Sequence, residues 1–274
     1  MKRITLHILL LVALLVPSCV GTDVGNPQDE QANVELEVAG YTETRSGALT
    51  LEDGLRIDTA WIVLSQFRFR SVDDCEDETL PYDVTDPVVV DLLADQPTYD
   101  APLFTKPAGD YCKLDVGFSQ VDADALPAGA PGELAGLSLF VEGARADGVE
   151  FRIEADLDDK FHLSGVLEDF ELVGDQHLIV GFALDEWINE SQLDNVSDQD
   201  PIVISSEENP EMMGSFKASI KRSARLFRDE NNNRRLDANE KGQAIASSAQ
   251  QNNPGTNGQN QNNGNNQSDD AGQP

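Results

Sequence analysis

"AWIVLSQFRFR", residues 60–70, is the stretch on which the fold turns. Its side chains alternate with a period of two. Trp61, Val63, Phe67 and Phe69 fall on one face of an extended strand, and Ile62, Leu64, Arg68 and Arg70 on the other. The same period recurs in both directions along the chain. "NVELEV" (33–38), "PVVVDLL" (87–93), "YCKLDVGFSQV" (111–121) and "LSLFVEGA" (137–144) carry it. So do "VEFRIEA" (149–155), "KFHLSG" (160–165) and "HLIVGFAL" (177–184). Between them stand turn signals: "KPAGDY", "PAGAPG", "ADG" and "VGD". Short strands at this spacing predict a mainly β fold, an antiparallel β-sandwich over 33–182. Gly109 is placed for the turn that re-enters the sheet, and Asp91 for capping a strand end.

The pattern changes near residue 185. "DEWINESQLDN" has the composition of a short helix, and "ENPEMMGSFKASIKRSARLF" (208–227) that of a longer one. Asn209 suits the N-cap, Pro210 the first helical position, and Glu211 the positive end of the helix dipole. Met213, Phe216, Ile220, Ala224 and Phe227 then share one helical face. Residues 183–248 are therefore expected to form a C-terminal helix and loop appended to the sandwich.

The chain carries a net charge of −31. Charge repulsion excludes nucleic acid as a partner. The charge is uneven: residues 209–241 hold eight basic and five acidic residues, whereas 19–208 hold nine and 43. A basic segment beside an acidic body predicts that the first docks on the second.

The N-terminus sets the compartment. Lys2 and Arg3 precede an apolar run from Ile8 to Val16, too short to span a bilayer, which takes about 20 residues. "VPSC", Val16 to Cys19, resembles the lipobox of bacterial lipoproteins. The resemblance implies a signal peptide over 1–18, and Cys19 acylated and palmitate-bearing as the first mature residue, a stable membrane anchor. Val20 follows it, where inner-membrane retention takes Asp, so the outer membrane is the expected location. Residues 19–32 read as a flexible tether. Residues 249–274 are rich in Asn, Gln and Gly and lack core-forming side chains, which predicts a disordered tail. With Cys19 lipidated, Cys75 and Cys112 remain, and export favours their pairing as a disulfide.

"TAWIVLSQFRF", "PVVVDLL", "KPAGDYCKLDVGF" and "GLSLFVEG", in that order, resemble exported bacterial lipoproteins that carry a β-sandwich domain of transthyretin-like or carbohydrate-binding-like type. The start of the mature chain, "CVGTDVGNP", is similar to lipoproteins of Gram-negative bacteria. The resemblance supplies no catalytic residues.

A second resemblance lies in "RDENNNRRLDANE", 228–240. With Asp229 as position 1, Asn231, Asn233, Arg235, Asp237 and Glu240 fall at 3, 5, 7, 9 and 12, the ligand positions of an EF-hand-like, dockerin-type calcium loop. Arg235 would serve through its carbonyl. Arg234 occupies position 6, where Gly is expected, and only three of the ligand positions hold carboxylates. These features imply a weak calcium site, of about 10⁻⁴ to 10⁻³ M, suited to millimolar calcium outside the cytoplasm. His162 and His177, with the cysteines paired, cannot complete a zinc quartet. No nucleophile elbow, zinc-protease helix or phosphate loop is present. Carboxylate pairs such as those in "DLDD" (156–159) are frequent by chance in so acidic a chain. The sequence thus points to a non-enzymatic, outer-membrane lipoprotein binding a glycan or a protein. The alternative is a hydrolase of cell-wall or glycan substrates with an unrecognised acidic site.

Overall fold

The computed structural model describes residues 30–42, 49–51, 53–97, 99–196 and 199–248. The expected signal peptide (1–18), Cys19, most of the expected tether and the expected disordered tail (249–274) lie outside the described residues. The strands are β1 (Gln31–Tyr41), β2 (Arg56–Ser71), β3 (Val88–Asp91), β4 (Leu103–Pro107) and β5 (Gly109–Phe118). They continue with β6 (Leu139–Ala144), β7 (Glu150–Ala155), β8 (Lys160–Gly165), β9 (Phe170–Leu172) and β10 (Asp175–Ala183). The short helix α1 (Glu190–Leu193), β11 (Ile202–Ile204), α2 (Pro210–Ser223), β12 (Ala224–Arg228) and β13 (Ala246–Ser247) complete the chain. Each of the alternating stretches read from the sequence is a strand.

The strands form one curled sheet in the order β11-β7-β6-β2-β5-β8-β13-β12-β10-β1-β4, with β3 paired to β2 and β9 to β5. The sheet is mixed. β1 runs parallel to β10, and β11 parallel to β7, while the other pairs are antiparallel. The expectation of an antiparallel sheet therefore holds only for most of its pairs. The reason lies in β10, whose residues Leu178 to Ala183 are all buried. A strand covered on both faces reads as a continuous apolar run and tolerates parallel pairing.

β2 is likewise covered on both faces. Ile62, Leu64, Phe67 and Phe69 belong to the main core, whereas Trp61 and Val63 join Val89, Val121, Leu134 and Phe140 in a second cluster. Strict alternation predicted Phe67 and Phe69 on the Trp61 face. A bulge between Ser65 and Arg68 inserts one extra residue opposite β5, and Gln66 takes φ 55° there. The insertion shifts the alternation by one, so that both phenylalanines turn into the main core. Phe69 then packs edge-on against Phe104 of β4, with ring centroids 5.1 Å apart.

The C-terminal segment is woven into the sheet. The predicted helix ends at Ser223, not Phe227, and the next five residues form β12, antiparallel to β10. Ala224, Leu226 and Phe227 are fully buried by that pairing. "ARLF" fits either period, and the buried partner strand selects the extended one. Asn209, the expected N-cap, is left-handed at φ 58° and makes no capping bond. Its amide instead donates to Gln199 Oε1 at 2.9 Å and to the Val203 carbonyl. Met213, Phe216 and Ile220 of α2 do face the main core, where Phe216 meets Trp187 edge-on at 5.8 Å.

The basic segment docks on the acidic body as its charge predicts: Lys221 pairs with Asp159, Arg225 with Glu186, and Arg234 with Glu35. Cys75 and Cys112 form a disulfide, with Cα atoms 6.0 Å apart. Asp91 Oδ1 accepts the Leu93 N–H at 2.9 Å, the capping role read from its position at the end of β3. No helix among the described residues is long and apolar enough to cross a membrane.

Candidate functional site

β12 delivers the loop. Its last rung onto β10 is the Asp229 N–H, which donates to the His177 carbonyl at 3.0 Å. Asp229 is therefore buried, at 4% exposure, and Glu240 at the far end of the loop is buried at 1%. Leu236 and Ala244 pack against Tyr41, Ala183 and Phe227, so the loop covers the outer face of the sheet at the ends of β1, β10 and β12. It is entered by a strand, where an EF-hand is entered by a helix.

Within the loop the side-chain oxygens fold the backbone. Asp229 accepts from the N–H groups of Asn233 and Arg234, at 3.1 and 2.7 Å. Asn231 Oδ1 accepts from Asn233 N at 3.0 Å, and Asn233 Oδ1 from Arg235 N at 2.8 Å. These are successive Asx-type turns, the local bonding that Asp and Asn offer a backbone. Asn231 and Asn233 both donate their amide N–H to Asp237 Oδ2, at 2.7 and 2.9 Å. Glu240 accepts from Glu230 N at 3.0 Å and Asp237 N at 2.8 Å. The six predicted ligand positions thus belong to one bonded loop. Arg234, in the glycine position, adopts the left-handed conformation that the position demands, at φ 60°.

The donor set suits a hard cation: carboxylates, amide oxygens and a backbone carbonyl. The carboxylates are nevertheless held apart by N–H donors. No group of three or more His, Cys, Asp or Glu among the described residues is gathered closely enough to hold a metal. At Asp237 the two neutral Asn amides satisfy one carboxylate oxygen by hydrogen bonds.

Arg234 fastens the loop to β1. Its guanidinium pairs with Glu35, and its Nε lies 3.5 Å from Glu37 Oε1. Glu37 is 1% exposed, and neither of its oxygens has a hydrogen bond of good geometry. Burial pushes its carboxyl up to about 7, against the pull of Arg234 and with help from Glu35 and Asp229. Lys241 donates to the Thr42 carbonyl at 3.1 Å and closes the far side.

A second constellation escaped the sequence reading. Alternation puts Arg68 and Arg70 on the face opposite Phe67 and Phe69, and they are there, but fully covered. Both converge on Asp115 of β5, which is completely buried. Asp115 Oδ2 accepts from Arg68 Nε at 2.8 Å, Arg68 Nη2 at 2.5 Å and Arg70 Nε at 2.7 Å, while Oδ1 meets His162 Nδ1 at 2.5 Å. Burial alone would raise the Asp115 carboxyl, but His162 and the two arginines hold it well below the usual range. Two arginines interleaved with two phenylalanines, facing an Asp in another apolar strand, are the sequence signal for such a pairing. His177 Nδ1 lies 3.4 Å from Glu35.

No family model, no curated protein and no solved structure matches this chain.

Proposed function

We propose that this is an exported, non-enzymatic lipoprotein, anchored in the outer membrane through acylated Cys19, whose curled sheet serves as a sandwich-like module binding a glycan or a protein. Loop 229–240 is a weak structural calcium site in this reading. Asp229, Asn231, Asn233, Asp237 and Glu240 would hold the ion through side-chain oxygens, and Arg235 through its carbonyl. The observation that carries the calcium reading is the run of Asx turns from Asp229 to Arg235, with Arg234 already left-handed at the sixth position. The Cys75–Cys112 bond fits an oxidising compartment. Calcium in this place would lock the loop that covers the outer ends of β1, β10 and β12, and so would stiffen the module without taking part in chemistry.

The test is a calorimetric calcium titration of the wild type and Glu240→Gln. At a Kd of about 10⁻⁴ M, millimolar calcium stabilises the folded state by about 1.4 kcal/mol. The variant loses one of three carboxylates and the response with it. Absence of both heat and thermal shift in the wild type at several millimolar calcium would reduce the segment to a polar loop.

A further inference from the structure

Away from loop 229–240, three cations meet on a single carboxylate oxygen. Glu78 Oε2 lies 2.9 Å from Arg70 Nη2, 3.1 Å from Lys160 Nζ and 3.8 Å from Arg68 Nη2. The Glu78 side chain is 56% exposed, while those of Arg68 and Arg70 are 2% and 0% exposed. The carboxylate therefore sits at the mouth of the constellation, with the guanidinium groups behind it.

The remaining N–H groups of the two arginines are already committed to the protein. Asp115 takes three of them, Leu80 O accepts from Arg68 Nη1, and Cys75 O accepts from Arg70 Nη1 at 3.2 Å. Arg70 Nη2 is buried between two carboxylates, 2.7 Å from Asp115 Oδ2 and 2.9 Å from Glu78 Oε2, with good hydrogen-bond geometry to neither. Lys160 also points here, and donates to Tyr82 Oη at 3.4 Å. When Glu78 swings away, the two arginines and Lys160 keep, among the described residues, Asp115 as their one carboxylate partner in direct ion-pair contact. That is a local excess of two positive charges in a chain of net charge −31.

We propose that Arg68, Arg70 and Lys160 form a seat for a small oxyanion, a carboxylate or phosphate group of a ligand, and that Glu78 is its internal occupant. The seat is independent of loop 229–240 and of the membrane anchor. Its chemistry is that of guanidinium and ammonium groups converging on one anionic oxygen, with fixed geometry because the guanidiniums are clamped from behind. Glu78 belongs to the segment that leaves the disulfide at Cys75, which keeps the occupant close to the seat. Arg70, and after it Lys160, lower the Glu78 carboxyl to about 2, so it stays ionised across the physiological range. Displacement is accordingly a competition between anions, not a response to acidification.

The magnitude follows from that competition. If Glu78 fills the seat about nine-tenths of the time, an incoming anion loses about a factor of ten in apparent affinity. The experiment is isothermal titration of the full-length protein in detergent with inorganic phosphate and with acetate. Ionic strength is held constant with sodium chloride, and wild type, Glu78→Gln and Glu78→Gln/Lys160→Gln are compared. Glu78→Gln keeps the size and removes the charge, and should bind about tenfold more tightly than wild type. The double variant should fall back. Tighter binding of phosphate than acetate assigns the seat to a dianionic group, and the reverse to a carboxylate. Equal affinity of wild type and Glu78→Gln for both probes overturns the proposal, as does an equal response to chloride. Should Glu78→Gln fail to fold, Lys160→Gln alone must weaken binding of the better probe to the wild type, and unchanged affinity there is equally fatal.

Discussion

Replacing Glu37 by Gln tests whether a buried acid sets the pH dependence of folding. Glu37 lies on β1 beside loop 229–240, at 1% exposure, with Arg234 Nε 3.5 Å away. Burial raises its carboxyl from 4.5 to about 7. The folded state therefore keeps a proton that the unfolded state has released. Stability falls wherever the folded state binds more protons, so the loss begins near pH 4.5 and is complete a little above pH 7. Between 4.5 and about 7 the linkage amounts to about 3 kcal/mol. Gln has nearly the same shape and never ionises. The variant should match wild type near pH 4.5 and exceed it by up to about 3 kcal/mol at pH 8. Urea unfolding at half-unit intervals from pH 4.5 to 8, with calcium chelated, measures both curves. Other titrating groups contribute equally to each, so their difference isolates Glu37. Parallel curves would refute the reasoning, and would mean that Arg234 fully compensates the buried charge.

Arg234→Gly should tighten calcium binding by relieving a left-handed non-glycine residue, worth about 1 kcal/mol, while driving the Glu37 carboxyl still higher because its cation is gone. Calorimetry and the same pH series read the two effects. Deleting Gln66 removes the bulge and restores plain alternation through β2, which turns Phe67 and Phe69 off the core. At about 3–5 kcal/mol for each lost aromatic, circular dichroism should find the variant unfolded. Gly143→Ala would place a Cβ 2.0 Å from the Arg56 carbonyl oxygen and 2.6 Å from Phe151 Cζ. Because backbone cannot yield as a side-chain tip does, urea unfolding should show a loss of about 3 kcal/mol or more. Reduction of the Cys75–Cys112 bond should cost about 4 kcal/mol in the chain-entropy account, read by unfolding with and without reductant. For the anchor, Cys19→Ala should release the protein from the membrane fraction, and an unchanged fraction would end the lipoprotein reading.

The sequence by itself determined the β character, because period-two alternation forces one side of each strand inward whatever the partner. It favoured the pairing of Cys75 with Cys112 once Cys19 was read as the lipid attachment, and it indicated the docking of 209–241 by its sign of charge. It also placed Asp229 to Glu240 in one loop, since Asx turns are local and need only neighbours a few residues away. Tertiary structure decided what depended on distant partners. The parallel pairing of β1 with β10 goes with the burial of β10 on both faces, which depends on the strands and helix around it. Whether "ARLF" continued a helix or began β12 was set by an open edge on β10, which no local propensity encodes. The bulge at Ser65–Gln66 moved Phe67 and Phe69 to the other face, and one inserted residue leaves no trace in composition. Arg68, Arg70, Asp115 and His162 come from three strands. Their burial is tolerable only because each meets its counter-charge, and that meeting exists only once β2, β5 and β8 are side by side.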